Sequence, residues 1–124
     1  LVWHAFKDMV GGEIYVKKIP SMSIVNLAEA IGPNNKLEII GMRPGEKLHE
    51  QMIGTQDAPF TYEYENYYKI LPNINGWAES EERIKDGVKV EENFTYSSDN
   101  NHDWMETGDL VSWIKNNQAQ IGKI

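Results

Sequence analysis

Leu37-Glu38-Ile39-Ile40-Gly41-Met42-Arg43-Pro44-Gly45-Glu46-Lys47-Leu48-His49-Glu50-Gln51-Met52-Ile53 is the stretch on which the reading of this chain turns. The apolar run Leu37 to Ile40 predicts a short buried strand. Gly41, Pro44 and Gly45 then predict a turn. Leu48, Met52 and Ile53 fall on one side of a helix that would start near Glu46. Arg43 is the one charge between Gly41 and Gly45. A strand, a turn carrying an arginine and the positive end of a helix together form a seat for an anion. A merely solvated surface arginine is the other reading of the same residues.

Outward from that stretch the chain alternates. Leu1, Val2, Ala5, Phe6 and Met9 lie on one helical face, and Gly11-Gly12 stops that helix. The alternating Glu13 to Val16 predicts a strand. After Pro20, Ser21 or Ser23 can cap a helix whose buried face is Ile24, Leu27, Ala28 and Ile31, closed by Gly32-Pro33. Helix, strand, helix, strand and helix within 54 residues predict an α/β fold. Residues 1–54 form its regular part.

Residues 55–124 read as an aromatic, acidic extension. Phe60 to Leu71 predicts one or two strands with a turn at Glu65-Asn66. The group Tyr62, Tyr64, Tyr67 and Tyr68 reads as a half-buried strand face in preference to a platform for a base or sugar. Pro72 to Gly76 reads as a loop, Glu79 to Lys85 as a short polar helix, and Val88 to Tyr96 as weakly alternating. Ser97 to Asn101 is expected to be irregular. Thr107 is the expected cap of a last helix with Leu110, Val111, Trp113 and Ile114, and Asp109 sits well in its first turn. From Asn116 to Ile124 the chain is expected to fray.

Composition narrows the function. At 124 residues, with 40% hydrophobic and 25% charged residues, the chain is one globular domain, small for a complete nucleotide-cofactor enzyme. The absence of cysteine excludes disulfides and thiolate chemistry and fits a cytoplasmic location. No apolar run reaches membrane-spanning length. The start at Leu1, already within a helical pattern, reads as a cut inside a larger protein. Residues 1–50 carry six basic and six acidic side chains, whereas residues 51–124 carry six and thirteen, the whole of the net charge of −7. A phosphorylated ligand is therefore tolerated by the first half, near Lys17, Lys18, Arg43 and Lys47, and repelled by the second. With no basic stripe, nucleic acid is not an expected partner.

The chemical motifs are mostly negative. Gly11-Gly12 lacks the dinucleotide-binding spacing, and Gly41 to Lys47 is one residue short of a phosphate loop and lacks its hydroxyl. The Tyr-x-x-x-Lys pair of short-chain dehydrogenases does not occur. Glu46 with His49, and His102 with Asp103, read as surface pairs and not as metal ligands.

Several strings taken in order carry a resemblance. They are Gly11-Gly-Glu-Ile-Tyr-Val16, Lys18-Ile-Pro-Ser-Met22, Asn26-Leu-Ala28, Ile40-Gly-Met-Arg-Pro-Gly-Glu-Lys-Leu-His-Glu50, Tyr67-Tyr68 and Tyr96-Ser-Ser98. The chain resembles the C-terminal part of the bacterial inverting UDP-N-acetylglucosamine 4,6-dehydratases, of the extended short-chain dehydrogenase/reductase superfamily. Lys17 departs from the proline frequent in that group. The resemblance implies a small mixed α/β substrate-binding lobe over residues 1–124, with the Rossmann domain missing. It implies NADP and the catalytic residues in that missing N-terminal domain, no cofactor on this chain, and a lyase that is inactive when reduced to this part. Arg43 is carried over as the ligand of a UDP-sugar pyrophosphate, and Glu46 as an acceptor for ribose hydroxyls. Homo-oligomerisation is expected, with Val2 and Phe6 on an apolar face. A lobe of a related nucleotide-sugar epimerase or dehydratase, a non-catalytic oligomerisation module and a free-standing sugar-nucleotide binder are the alternatives.

Overall fold

The computed structural model describes residues 1–74 and 80–121. Helix α1 (Val2–Asp8) leads into strand β1 (Ile14–Lys17), and helix α2 (Ile24–Ile31) follows. After a long irregular segment come β2 (Gln51–Ile53), a 3₁₀ turn at Ala58–Phe60, β3 (Thr61–Glu63) and β4 (Tyr67–Ile70). The chain closes with α3 (Glu81–Ile84), β5 (Val88–Lys89), β6 (Tyr96–Ser97) and α4 (Thr107–Ile121). The main sheet has the order β1-β4-β3-β5, every pair antiparallel, and β2 pairs with β6 in a separate ribbon. The fold is thus a small mixed α/β unit with antiparallel sheets.

The hairpin β3–β4 organises the main sheet. Its turn falls at Glu65-Asn66, and the Tyr64 N–H donates to Tyr67 O at 2.9 Å. Strand alternation then sorts the side chains. Val16, Tyr68 and Ile70 join Ile53 and Tyr96 in one core cluster, while Tyr62, Tyr64 and Leu71 form another. Tyr62, Tyr64 and Tyr68 are therefore core, and the half-buried Tyr67 stacks on Tyr64 with centroids 4.5 Å apart.

On the sheet face that Tyr15 and Tyr62 share, the register sets Lys69 between them. Lys69 is 1% exposed. A buried ammonium is costly unless it is paired and hydrogen-bonded. Here Nζ lies 2.5 Å from an Asp8 carboxylate oxygen, donates to Arg83 O at 2.8 Å and faces the rings of Tyr15 and Tyr64. Lys85 and the Tyr15 hydroxyl also bond Asp8. One lysine therefore draws α1 and α3 onto the same sheet face. Arg83, itself buried, pairs with Glu13 and donates to Gly11 O at 2.8 Å. Glu13 in turn accepts the N–H groups of Gly11 and Val10. Gly12 bends this link at φ +79°, where a Cβ would meet Pro72 at 3.1 Å, so both conformation and space call for glycine.

Three expectations need correction. Leu37 to Ile40 is irregular and exposed, Ile39 at 96%, because it pairs with no strand among the described residues and a strand needs one. No helix begins near Glu46. Residues 46–50 are irregular, and pairing with β6 draws residues 51–53 into a strand with Ile53 fully buried. The buried face expected on α2 is largely open, since Ile24 and Ile31 are exposed and α4, its principal neighbour, covers only part of it; Val2 and Phe6 on α1 are exposed, as their place on an apolar face implies.

Smaller differences concern ends. Ser23, one of two expected caps, accepts the Asn26 N–H at 3.1 Å. Helix α4 is capped one residue earlier than expected: Glu106 O accepts the Leu110 N–H, and the Glu106 N–H donates back to the Asp109 carboxylate. That helix runs on to Ile121, where fraying from Asn116 was expected. The short polar helix spans Glu81–Ile84, and Ser97 belongs to β6. The expected loop through Gly76, the helix start at Glu79 and the last three residues lie outside the described residues.

Replacing Lys69 by methionine keeps the volume and strands the buried Asp8 carboxylate with fewer donors; a loss of about 3 kcal/mol is expected in urea unfolding. Burial pushes the Asp8 carboxyl up, but bonds from Lys69, Lys85 and Tyr15 outweigh it and hold it well below its ordinary 3.8. Glu13 is likewise held below 4.5 against its burial, by backbone N–H groups and Arg83. Both groups are more acidic folded than unfolded. Their stabilisation is complete above those ordinary values and is lost as pH falls below them. The urea midpoint should therefore drop steeply below about pH 4, and Asp8→Asn should flatten that slope.

Candidate nucleotide-diphosphate site

Every residue from Pro33 to Glu50 is exposed, so the conformation around Arg43 comes from local bonds and from its anchors. Pro44 fixes its own φ, and Gly45 sits at φ +89°, the geometry of a type II turn with Arg43 and Glu46 at its ends. The Glu46 N–H donates to Arg43 O at 3.1 Å, closing the turn. The Arg43 N–H donates to Glu46 Oε2 at 2.8 Å, and Arg43 Nε lies 3.8 Å from Glu46 Oε1. The structure thus brings the two sequence-derived site residues together. The Arg43 side chain is 70% exposed, with its guanidinium fork open to solvent. Met42, Gly45, Glu46, Lys47 and Glu50 line an open depression beside the turn, about 460 Å³, with Arg43 outside its lining.

This turn can hold an anion by its guanidinium, whose planar donors match paired phosphate oxygens. The expected help from a helix N-terminus is absent, because no helix begins at Glu46. Glu46 keeps lone pairs for a further donor, since a carboxylate accepts about four bonds and two are accounted for at most.

The loop is anchored by Ser98 and Tyr96, which no local signal in the sequence marks. Ser98 and Glu50 exchange bonds: the Ser98 N–H donates to Glu50 O at 2.8 Å, and the Glu50 N–H donates to Ser98 Oγ at 3.1 Å. His49 Nδ1 lies 3.4 Å from the same hydroxyl. The Tyr96 hydroxyl takes the Ile19 N–H and donates to Ile19 O, each at 2.9 Å. Asn101 Nδ2 adds a bond to Ile19 O at 2.8 Å. Tyr96-Ser97-Ser98 therefore clasps the Lys18-Ile-Pro-Ser-Met22 segment to the end of the arginine loop. These partners stand 48 and 77 residues apart in the chain, a separation that leaves no local signal.

A second, larger cleft of about 820 Å³ opens beside the clasp, with Lys18, Tyr68, Phe94 and Asp99 in its wall. Lys18 is committed there, paired with Glu63 at 2.6 Å and lying over the Tyr68 ring. Among the described residues no group of three or more His, Cys, Asp or Glu could hold a metal ion, and no helix is long and apolar enough to cross a membrane.

Residues 1–72 match a family described as polysaccharide biosynthesis protein. The chain is 45% identical over 92% of its length to the UDP-N-acetylglucosamine 4,6-dehydratase (inverting) of Campylobacter jejuni subsp. jejuni serotype O:23/36 (strain 81-176), of which it spans 36%. It is 36% identical over 56% of its length to the UDP-glucose 4-epimerase of Rickettsia canadensis (strain McKiel), of which the match spans 22%. In three dimensions it matches the X-ray structure of Pen from Bacillus thuringiensis with a TM-score of 0.71 and 25% identity, over 94% of this chain and 33% of that one. The chain thus spans about a third of the length of the relatives it matches most fully.

Ser98→Ala removes the acceptor of the Glu50 N–H. A stability loss of about 1 kcal/mol is expected, with the Glu50 amide and its loop neighbours moving in a ¹H–¹⁵N spectrum while the β3–β4 amides stay in place.

Proposed function

The chain belongs to the polysaccharide biosynthesis protein family, and from that premise we propose that residues 1–124 act as the UDP-sugar-binding lobe of a nucleotide-sugar 4,6-dehydratase. The whole protein in this reading is an NADP-dependent lyase of the bacterial cytoplasm. It converts UDP-N-acetylglucosamine to a 4-keto-6-deoxy sugar nucleotide and works as a homo-oligomer. NADP and the acid/base residues belong to the part of the protein that this chain does not span, so the lobe is inactive alone.

The observation that carries this reading is the turn at Arg43: a solvent-open guanidinium in a bend closed by Glu46, within a chain 45% identical to an inverting dehydratase. Arg43 grips the diphosphate bidentately, and Glu46 accepts from ribose hydroxyls with the lone pairs left to it. Ser98 and Tyr96 hold the loop's end and the strand exit at fixed separation. NADP does not fit the residues described here. Gly11-Gly12 lacks the dinucleotide spacing, and the Gly11 N–H is already taken by Glu13.

A second reading, the equivalent lobe of a nucleotide-sugar epimerase, is favoured by the 36% identity to the Rickettsia canadensis enzyme over 74 residues. The two readings share the UDP site and differ in chemistry performed elsewhere.

Calorimetry of the chain with UDP tests the shared claim. Saturable binding that weakens with salt is expected, and Arg43→Ala should cost about 2 kcal/mol, roughly thirtyfold in Kd. Equal affinity in Arg43→Ala, or no binding by the parent chain, contradicts it.

A further inference from the structure

We propose that Glu46 is a positioning residue for Arg43, holding the arginine in its turn before any ligand arrives. The proposal rests on the diphosphate reading of Arg43 and adds to the ribose contact a task that needs no ribose. No packed neighbour fixes Arg43, because residues 33–50 are all exposed. What fixes it is reciprocal bonding with one residue: the Glu46 N–H to Arg43 O, and the Arg43 N–H to the Glu46 carboxylate. Without the second bond, the backbone on the arginine side of the turn is free to rotate, and binding must then order it. A ligand that meets a preset turn avoids that cost.

The same carboxylate lies 3.8 Å from Arg43 Nε, and this gives the proposal a sign. By charge alone, removing a carboxylate beside the guanidinium strengthens the attraction for an anion. By positioning, removing it weakens binding. The charge effect is small for exposed groups, so the loss of order wins.

The probe is inorganic pyrophosphate, which has no ribose for Glu46 to contact, titrated into the 124-residue chain by calorimetry. The ligand-free chain is followed in parallel through the Arg43 amide in ¹H–¹⁵N spectra. In Glu46→Ala, pyrophosphate binding is expected to weaken roughly threefold to tenfold, and the Arg43 amide proton to move upfield to a solvent-bonded position. Glu46→Gln keeps an oxygen acceptor without the charge and is expected to restore both. Pyrophosphate binding in Glu46→Ala as tight as in the parent or tighter, or an unmoved Arg43 amide, overturns the proposal. If the parent binds neither UDP nor pyrophosphate, the diphosphate reading falls, and the Arg43 amide in Glu46→Ala alone decides the positioning claim.

Discussion

Lys69 sits in a central strand of the four-stranded sheet with its ammonium removed from water, and that placement constrains what surrounds it. The charge needs an anion, which α1 supplies as Asp8, and a carbonyl, which α3 supplies through Arg83 O. Two elements 75 residues apart by the numbers Asp8 and Arg83 therefore converge on one sheet face. The second pair, Arg83 with Glu13, ties the α1–β1 link to α3. Among the described residues no buried side-chain polar atom lacks a partner, so the network is closed and not strained by orphans. Burial and the Asp8 bond push the Tyr15 phenol up, which keeps it a donor to Asp8.

The opposite sheet face carries the apolar cluster, and Tyr96 belongs both to it and to the clasp. Its ring packs against Tyr68 while its hydroxyl holds Ile19. Through β6 and β2 the core thus reaches the end of the arginine loop, whose own residues bury nothing. The loop is anchored at Glu50 and shaped at its tip by the Arg43–Glu46 bonds. Rigidity at the base and openness at the tip suit a segment that meets a ligand with one exposed guanidinium.

What could be read from the sequence was local. The run rich in tyrosine and phenylalanine predicted one or two strands with a turn at Glu65-Asn66, where the β3–β4 hairpin lies, and of the two expected caps, Ser21 and Ser23, it is Ser23 that serves. The stretch that seemed to decide the fold was misread in its elements. Leu37 to Ile40 has strand composition, but a strand is made by its partner, and none of the described strands takes it. Leu48, Met52 and Ile53 match a helical period, yet pairing with Tyr96-Ser97 claims the last two of them for a strand. The buried lysine left no trace, because Tyr67-Tyr68-Lys69 reads as two aromatics and a surface charge. Arg43 stood out as the one charge in its turn, whereas Glu46 came from the resemblance alone, and the bond between them, though only three residues long, was not foreseen. The clasp was quoted as a string without a role, since hydrogen bonds over 48 and 77 residues have no periodicity.

The most direct measurement of the central claim is a ¹H–¹⁵N map of the labelled chain titrated with UDP. Shift changes concentrated on residues 41–50 and 96–98, saturating together, are the predicted result. Changes confined to the cleft around Lys18, Tyr68 and Phe94, or none at saturating UDP, would contradict it.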